Sequence, residues 1–533
     1  MKLKYIFLAG CLTLGACKKD VLDITPTDRI SETNIWTDPA LVRLYVNAQY
    51  NFIQDGFTDI QYFGDEAFIN ADLGGYQQLI GKASLIPDNV GAINGYFNYY
   101  NTGYAAIRNL NIYFEKIDGV PADAATKTAL TAEIKFLRAF VYSKLIWSYG
   151  GVPIIEKAFK LNEPLTGIKR NTYDECVAYI LKDLNDAIAG LPNQQTGNNL
   201  GKASADAARA LKARVQLYYA SPLNNPSNAV QRWTDVSATA LELINSNRYT
   251  PVADYHNLFI SGNNSEIIFA KFFSTTYSNN IGYYSGPQGN GGLAQRAPTQ
   301  NLVDAYEMTN GIIPVINGVV NSDPANGYNP ANPYVNRDPR FYASVLYNGA
   351  QFKGRTFQPY AGGSDFSGND ATPTGYGLYK FIDQSQPVAA GTPYTNPWIF
   401  FRIPEMYLIY AEAQYRLGNE AVARTYVNRV RSRVNMPPIT ETGSALMDRI
   451  IHERQVELAF EGHRYFDVRR LKIAPQTEIQ PIIGVRVVNN GGNFTYTRSN
   501  IFTRVWNDKL YYLPISLQEV RSSGGSLQQT SGY

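Results

Sequence analysis

Cysteine is nearly absent from this 533-residue chain. Cys11 and Cys17 sit near the N-terminus and only Cys176 lies beyond them, so no internal disulfide framework can staple the folded part. Its stability must come from a hydrophobic core, which a chain of this length is large enough to build. Histidine is as scarce: His256, His452 and His463 are spread out, and none stands at metal-ligand spacing from another. His452-Glu453 opens like a zinc-protease helix, but Val456 occupies the place of the second histidine. There is no Gly-x-Ser-x-Gly, no Walker loop and no Cys-x-x-Cys, and Gly289, Gly291 and Gly292 form a loop without the strand–helix context of a dinucleotide site. Asp365, Ser367, Asn369 and Asp370 could sit in a calcium loop, but the Gly and terminal Glu of an EF-hand are missing. Charge is scarce too: 17% of residues are charged and the formal net charge is +3. That balance excludes nucleic acid and an anionic lipid face as main partners. No run after the first residues is long and apolar enough to span a bilayer.

What the chain has is tyrosine, 39 of them, with abundant Asn and Gly. Flat amphipathic rings and neutral hydrogen-bonding groups suit a polar, uncharged ligand, although most tyrosines in any chain pack the interior. The N-terminus reads as an export signal over residues 1–16. Lys2 and Lys4 give it a basic start, Tyr5 to Leu14 a short apolar run, and Leu14-Gly15-Ala16-Cys17 the form of a bacterial lipobox. Cys17 is the expected lipidation site, and the lipid is then the membrane anchor. Cys176 lies inside an amphipathic helix and is expected as a small buried apolar residue.

Residues 17–35 read as a tether and 36–247 as a helical region interrupted by a Gly-rich, polar insertion at 56–95. Asp38-Pro39 is a helix start. The stripe Leu130, Ile134, Leu137, Val141 and Leu145 predicts a helix ending at Gly150-Gly151. Thr172 and Glu175 predict a capping box. Residues 248–400 are dense in Gly, Pro, Asn and Tyr and lack helical periodicity, a length of irregular chain usually kept for function. Helices return over 401–533. The pair around Gly418-Asn419, with Asn419 as expected N-cap, resembles a tetratricopeptide hairpin with Tyr410-Ala411, Ala423 and Val427 in place.

Glu453, Glu457 and Glu461 share one helix face at i, i+4 and i+8. Two such carboxylates would suffice for glycoside hydrolysis. Arg449, Arg454, Arg464, Arg469 and Arg470 lie close in sequence, however, and favour a structural Arg–Glu network, because cations neutralise a carboxylate rather than raise its pKa.

The block from Glu453 to Arg470, E-R-Q-V-E-L-A-F-E-G-H-R-Y-F-D-V-R-R, resembles the C-terminal signature of the SusD/RagB family. Arg402-Ile403-Pro404-Glu405-Met406-Tyr407-Leu408, Ala411-Glu412-Ala413, Asn428, Val430, Arg431, Arg433, Leu513-Pro514-Ile515 and the closing Gly532-Tyr533 continue it. In the N-terminal half Tyr104, Ile107, Asn111, Leu137-Arg138-Ala139 and Tyr149-Gly150-Gly151-Val152-Pro153 fit as well. Two departures stand out: Tyr100 where many members have Trp, and Gln529-Thr530-Ser531 in place of an Asn-Pro approach to the end.

The resemblance implies a mainly α fold of tetratricopeptide-like helix pairs decorated by long irregular loops with a few short strands. It implies a non-catalytic, lipid-anchored protein of the cell outer membrane, exposed at the surface, without cofactor or metal. Its partners would be an oligosaccharide or glycan and a SusC-like TonB-dependent barrel. A peptide-binding member of the same family and a surface glycoside hydrolase are the alternatives. Ligand contacts are expected from loops within 62–100 and 277–296, with Asp72, Tyr76, Asn94, Tyr96 and Tyr100 from the first and Asn279, Tyr283, Tyr284 and Arg296 from the second. Tyr76, Tyr283 and Tyr284 are the leading stacking platforms, because a sugar ring offers an apolar face and a hydroxyl rim.

Overall fold

The structure, a computed structural model, describes residues 32–57, 60–69, 75–97, 99–160, 162–366 and 372–533. The leader, Cys17 and most of the tether therefore lie outside the described residues. Helix accounts for 45% and strand for 11%, which makes the fold mainly α as expected.

Helix α1 (Pro39–Gln49) begins where Asp38 accepts the Ala40 N–H at 2.8 Å and Pro39 removes a donor that would go unpaired. A short strand, β1 (Ala67–Ile69), follows. Next come α2 (Tyr99–Lys116), α3 (Ala124–Tyr149), α4 (Tyr173–Gly190), α5 (Ala205–Ala220) and α6 (Val230–Asn245). The capping box of α4 forms as read: Thr172 Oγ1 accepts the Glu175 N–H at 3.1 Å and the Glu175 carboxylate accepts the Thr172 N–H at 2.8 Å. The loop-rich stretch holds β2 (Ile267–Lys271), α7 (Ile281–Ser285), β3 (Arg296–Pro298) and β4 (Trp398–Arg402). The C-terminal part holds α8 (Ile403–Arg416), α9 (Glu420–Ser432), α10 (Gly443–Glu457), α11 (Arg464–Arg470), the strands β5 (Ile482–Asn490) and β6 (Asn493–Phe502), and α12 (Leu517–Ser522).

Packing runs in chain order from α2 through α3, α4, α5 and α6, then jumps to α8, which carries α9 and α10. The intervening loops are thus an excursion out of a stack of helix pairs. Antiparallel pairing of β2 with β4, Lys271 opposite Trp398 and Ile267 opposite Arg402, closes that excursion at its base. In the α8–α9 hairpin, Gly418 takes a left-handed φ of 83° and ends α8. Ala411, Ala423 and Val427 are fully buried where the two helices meet. Asn419 does not cap α9 with its side chain: its amide donates instead to Gln414 Oε1 at 2.8 Å.

The N-terminal family residues have a mechanical task. The Tyr104 hydroxyl donates to the Pro153 carbonyl and the Asn111 amide to the Ile155 carbonyl, both at 2.8 Å, so α2 holds the strap that leaves α3. Gly150 turns the chain at φ 77°, and a Cβ on Gly151 would stand 2.1 Å from the Asn171 carbonyl oxygen. Gly151→Ala is therefore expected to destabilise the protein by about 1–3 kcal/mol. Gly119→Ala, where a Cβ meets nothing within 4 Å, should be close to neutral; comparing the two thermal midpoints checks the contrast. Cys176 is buried against this strap. Its thiol donates to the Val152 carbonyl at 3.3 Å, and burial pushes its pKa up to about 11.

The β5–β6 hairpin is the longest pairing among the described residues and lies inside the C-terminal region expected to be helical. Its turn, Asn490-Gly491-Gly492-Asn493, places both glycines at positive φ, 63° and 96°, as a tight two-residue hairpin requires.

The Arg–Glu network exists, but its partners come from much farther along the chain than the neighbouring arginines. Glu457, 0% exposed, accepts from Arg402 Nη1 at 2.5 Å, from Arg433 Nη2 at 2.6 Å on both oxygens, and from Arg340 Nη1 at 3.0 Å. Glu453 takes Arg340 at 2.5 Å and Arg431 at 2.9 Å; Glu461 takes Lys380 and Arg402 at 2.7 Å. Of the five arginines expected as partners, Arg449 pairs with Glu307 and Glu441, Arg454 with Asp467, Arg464 with Asp65, and Arg470 with Glu412 and Asp467. Arg469 donates to the carbonyls of Leu510 and Tyr465. The network fastens the loop excursion, through Glu266, Glu307, Arg340 and Lys380, to the C-terminal helices.

Candidate functional site: an aromatic shelf where two loops meet

The two loop segments singled out in the sequence are joined by backbone. β1 pairs antiparallel with β3, Ala67 opposite Pro298, Phe68 opposite Ala297 and Ile69 opposite Arg296. Below the pair, the Arg464 guanidinium clasps Asp65 through two bonds of 2.9 and 2.8 Å, which anchors the first segment to α11. Asp65 thus has a structural partner, and Tyr62 is buried beside it.

The second segment is folded tightly on itself. The Tyr283 carbonyl accepts from Leu293 N–H at 2.8 Å and the Tyr284 carbonyl from Gln295 N–H at 3.0 Å, so α7 is clasped to the approach of β3. The Tyr394 ring fills the space where a side chain on Gly282 would stand, its nearest atom 1.9 Å from the ideal Cβ position. Asn279 is 7% exposed, and its side chain is used in this loop. Its amide donates to the Asn396 carbonyl at 3.2 Å and its oxygen accepts the Ile281 N–H at 3.2 Å, starting α7. A ligand at the surface finds no free polar atom there.

The result is a shelf. Tyr284 is 37% exposed and Tyr283 half-buried, their ring centroids 5.4 Å apart at 53°. The Arg296 guanidinium lies 5.4 Å from the Tyr284 centroid and 5.8 Å from that of Tyr62, and donates to the Phe57 carbonyl. A cation behind an aromatic ring fixes the ring and holds a planar donor set beside it. Asp72 lies outside the described residues. Tyr76 and Tyr96 fall in short helices, Gly75–Gly81 and Asn94–Phe97, and their side chains lie outside the described residues. Asn94 begins the second of these helices and is half-buried.

Tyr100 is not brought to the shelf. It packs on Tyr104 at 4.8 Å and on Tyr149 of α3 at 5.3 Å, and lines a separate cavity with Ile155 and Phe159. α2 faces α3, and that packing carries Tyr100 with it. Tyr277, which opens the second loop segment, gives a further platform. Tyr277, 52% exposed, lies parallel to Phe273 with centroids 5.7 Å apart at 6°. Lys271 sits 5.3 Å over its ring while pairing with Asp55 at 3.2 Å. Tyr277 and Lys271 border a cavity of about 260 Å³ lined also by Asn47, Asn51, Lys202 and Phe272. The spacing Phe273-x-x-x-Tyr277 behind a buried strand is the sequence signal for the stack.

The clustered acidic residues singled out in the sequence are held in ion pairs. Burial alone would raise the Glu457 carboxyl, but Arg433, Arg402 and Arg340 outweigh it and hold it well below the usual range. Glu453 and Glu461 are likewise lowered by their cations against the effect of burial. His452 is half-buried, its Nε2 2.7 Å from the Ala305 carbonyl, and desolvation lowers its pKa. The Asp365 carboxylate is taken by Arg355 at 2.6 and 2.7 Å and by the N–H groups of Gly289 and Gln358; Ser367, Asn369 and Asp370 lie outside the described residues. Among those described, no three His, Cys, Asp or Glu side chains cluster as a metal site.

The carboxyl beneath the shelf strands is raised. Glu66 is buried under β1, and burial, followed by the neighbouring Asp65 charge, pushes it up to about 8. The unfolded chain would ionise it near 4.5. Because the folded state holds the proton longer, stability falls as pH rises from about 4.5 to about 8 and levels off above that. Glu66→Gln should remove this fall: the variant gains on the wild type by a few kcal/mol between pH 5 and pH 8, read from denaturant midpoints at each pH.

A profile described as SusD family matches residues 265–533, and one described as starch-binding associating with outer membrane matches residues 46–217. A SusD-like protein of Formosa agariphila is 24% identical over the full length of both chains. The crystal structure of a SusD-like protein from Bacteroides fragilis superposes with a TM-score of 0.83 at 29% identity, covering 96% of this chain and 100% of that one. A laminarin-binding SusD-like protein superposes with a TM-score of 0.68 at 22% identity, covering 93% and 100%; at that identity it shares the fold. With a family profile spanning half of its length and a matching fold throughout, the chain belongs to the SusD family.

Proposed function

We propose that this protein captures oligosaccharide on the Tyr283–Tyr284–Arg296 shelf at the cell surface, anchored by a lipid on Cys17, and passes it to a SusC-like TonB-dependent outer-membrane transporter. The observation that carries the binding reading is the exposed Tyr284 ring, backed by the Arg296 guanidinium and flanked by Tyr283. A pyranose stacks its C–H face on such a ring, and guanidinium and amide groups at the edge meet its hydroxyls. Relatives described as carbohydrate-binding and laminarin-binding support the ligand class. The lipobox supports the anchor, and among the described residues no helix is long and apolar enough to cross a membrane. The reading is of a binder rather than an enzyme: the acidic face is locked in ion pairs, and Glu66, a carboxyl raised by burial, is enclosed beneath β1.

The test is calorimetric titration of neutral glycans of different linkage into the chain begun after Cys17, which keeps every described residue. One or more should bind, and Arg296→Ala should weaken binding about 10-fold, or roughly 1.4 kcal/mol. A panel in which nothing binds, or binding that ignores Arg296, removes the shelf from the account. Co-purification of the full-length chain with an outer-membrane barrel tests the delivery step.

A further inference from the structure

The cavity that holds Tyr100 is a different kind of place from the shelf. Its volume is about 400 Å³, room for an apolar body the size of a substituted phenyl ring. The walls are the Tyr100 and Tyr104 rings, the Phe159 ring, and the aliphatic side chains of Ile155, Leu165 and Ile168, closed on the C-terminal side by α12. Few polar groups face it, which does not suit a hydroxyl-rimmed sugar.

The carboxylate in this lining is unanswered. Glu519 is half-buried in α12, and among the described residues no hydrogen bond or ion pair reaches its carboxylate. Its position makes that notable. Ser516-x-x-Glu519 has the form of a capping box, and Ser516 Oγ accepts the Glu519 N–H at 3.3 Å. The reciprocal bond, carboxylate to Ser516 N–H, is not made, whereas Glu175 makes it in α4. Lys157, a second charge in the lining, has its own partner in Glu163, and Arg108 is an exposed side chain whose Nε donates to the Phe159 carbonyl at 2.9 Å. Neither pairs with Glu519, whose pKa is raised by burial. An uncompensated carboxylate beside aromatic and aliphatic walls is complementary to an ammonium group on an apolar body, which gains from both the charge and the ring faces.

We propose that this cavity is a second binding site, separate from the shelf, for a primary amine carried on an apolar body, with Glu519 receiving the ammonium group. Tyr100 and Tyr104 give the floor on which the apolar body lies.

The experiment titrates 4-phenylbutylamine, 4-phenylbutanol and 4-phenylbutyrate, one apolar body with three head groups, into the chain begun after Cys17 at neutral pH. The amine should bind at least 10-fold tighter than the carboxylate. Glu519→Gln, a near-isosteric change at a half-buried position, should erase that preference. Ile168→Trp, which fills the cavity from its half-buried rim, should abolish binding of all three. Tyr284→Ala should leave amine binding unchanged and so keeps the result independent of the glycan reading. Circular dichroism confirms that each variant is folded. Absence of amine binding, equal affinity for amine and carboxylate, or a preference that survives Glu519→Gln overturns the proposal.

Discussion

Glu457→Ala should destabilise the protein by about 3–5 kcal/mol and shift its thermal midpoint further than any other substitution considered. The carboxylate is fully buried and receives three guanidinium groups, from Arg340, Arg402 and Arg433. Removing it leaves three buried cations facing each other around a small void. Glu457→Gln keeps the volume, so loss of the charge accounts for whatever destabilisation remains. The acid limb of stability gives a second readout. Because Glu457 is held below its ordinary pKa, its contribution is present above the unfolded-state value and is lost as pH falls toward the folded one. The variant should lose stability at neutral pH and show a shallower acid limb. A Glu457→Ala protein as stable as the wild type would mean that the network does not hold the loop excursion to the helices.

Tyr283→Ala combined with Tyr284→Ala should weaken glycan binding at least 30-fold, about 2 kcal/mol, with an unchanged thermal midpoint. The rings lie at the surface of a loop whose backbone is held by other groups: the Leu293 and Gln295 N–H bonds, Asn279 on Asn396, and Tyr394 against Gly282. Truncating them removes stacking area without touching those anchors. The single variants should differ, with Tyr284→Ala the larger effect because its ring is the more exposed and is the one Arg296 backs. If the double variant binds as tightly as the wild type, the platform lies elsewhere, and Tyr277 stacked on Phe273 becomes the leading surface.

Much of the helical frame could be read from the sequence because local chemistry dictates it. Asp38-Pro39 and the Thr172–Glu175 box each start a helix by satisfying N–H groups a few residues away, and both formed as read. Asn419 shows the limit of that reasoning. Its side chain had a second acceptor in Gln414, which only the turn of the hairpin brings within reach. The carboxylates of α10 were recognisable as a structural network, yet their partners were misassigned, since Arg340 and Arg402 are more than fifty residues away in sequence. The aromatic shelf was legible as residue types and not as geometry. Tyr283, Tyr284 and Arg296 meet because β1 pairs with β3 across more than two hundred residues, a contact with no local signature. Tyr100 and Asn279 had the right chemistry, but packing on α3 and bonding within the loop gave them other work. The β5–β6 hairpin carried a readable signal in its double glycine, and the surrounding helical patterning obscured it.

The most direct test of the central claim is to incubate the purified chain with the glycan that binds it best and count reducing ends while measuring affinity. Saturable binding that depends on Tyr284, with no new reducing ends over the incubation, is the expected result. Accumulating reducing ends that disappear in the Glu66→Gln variant would show an enzyme and contradict the reading of the shelf as a site that holds sugar without breaking it.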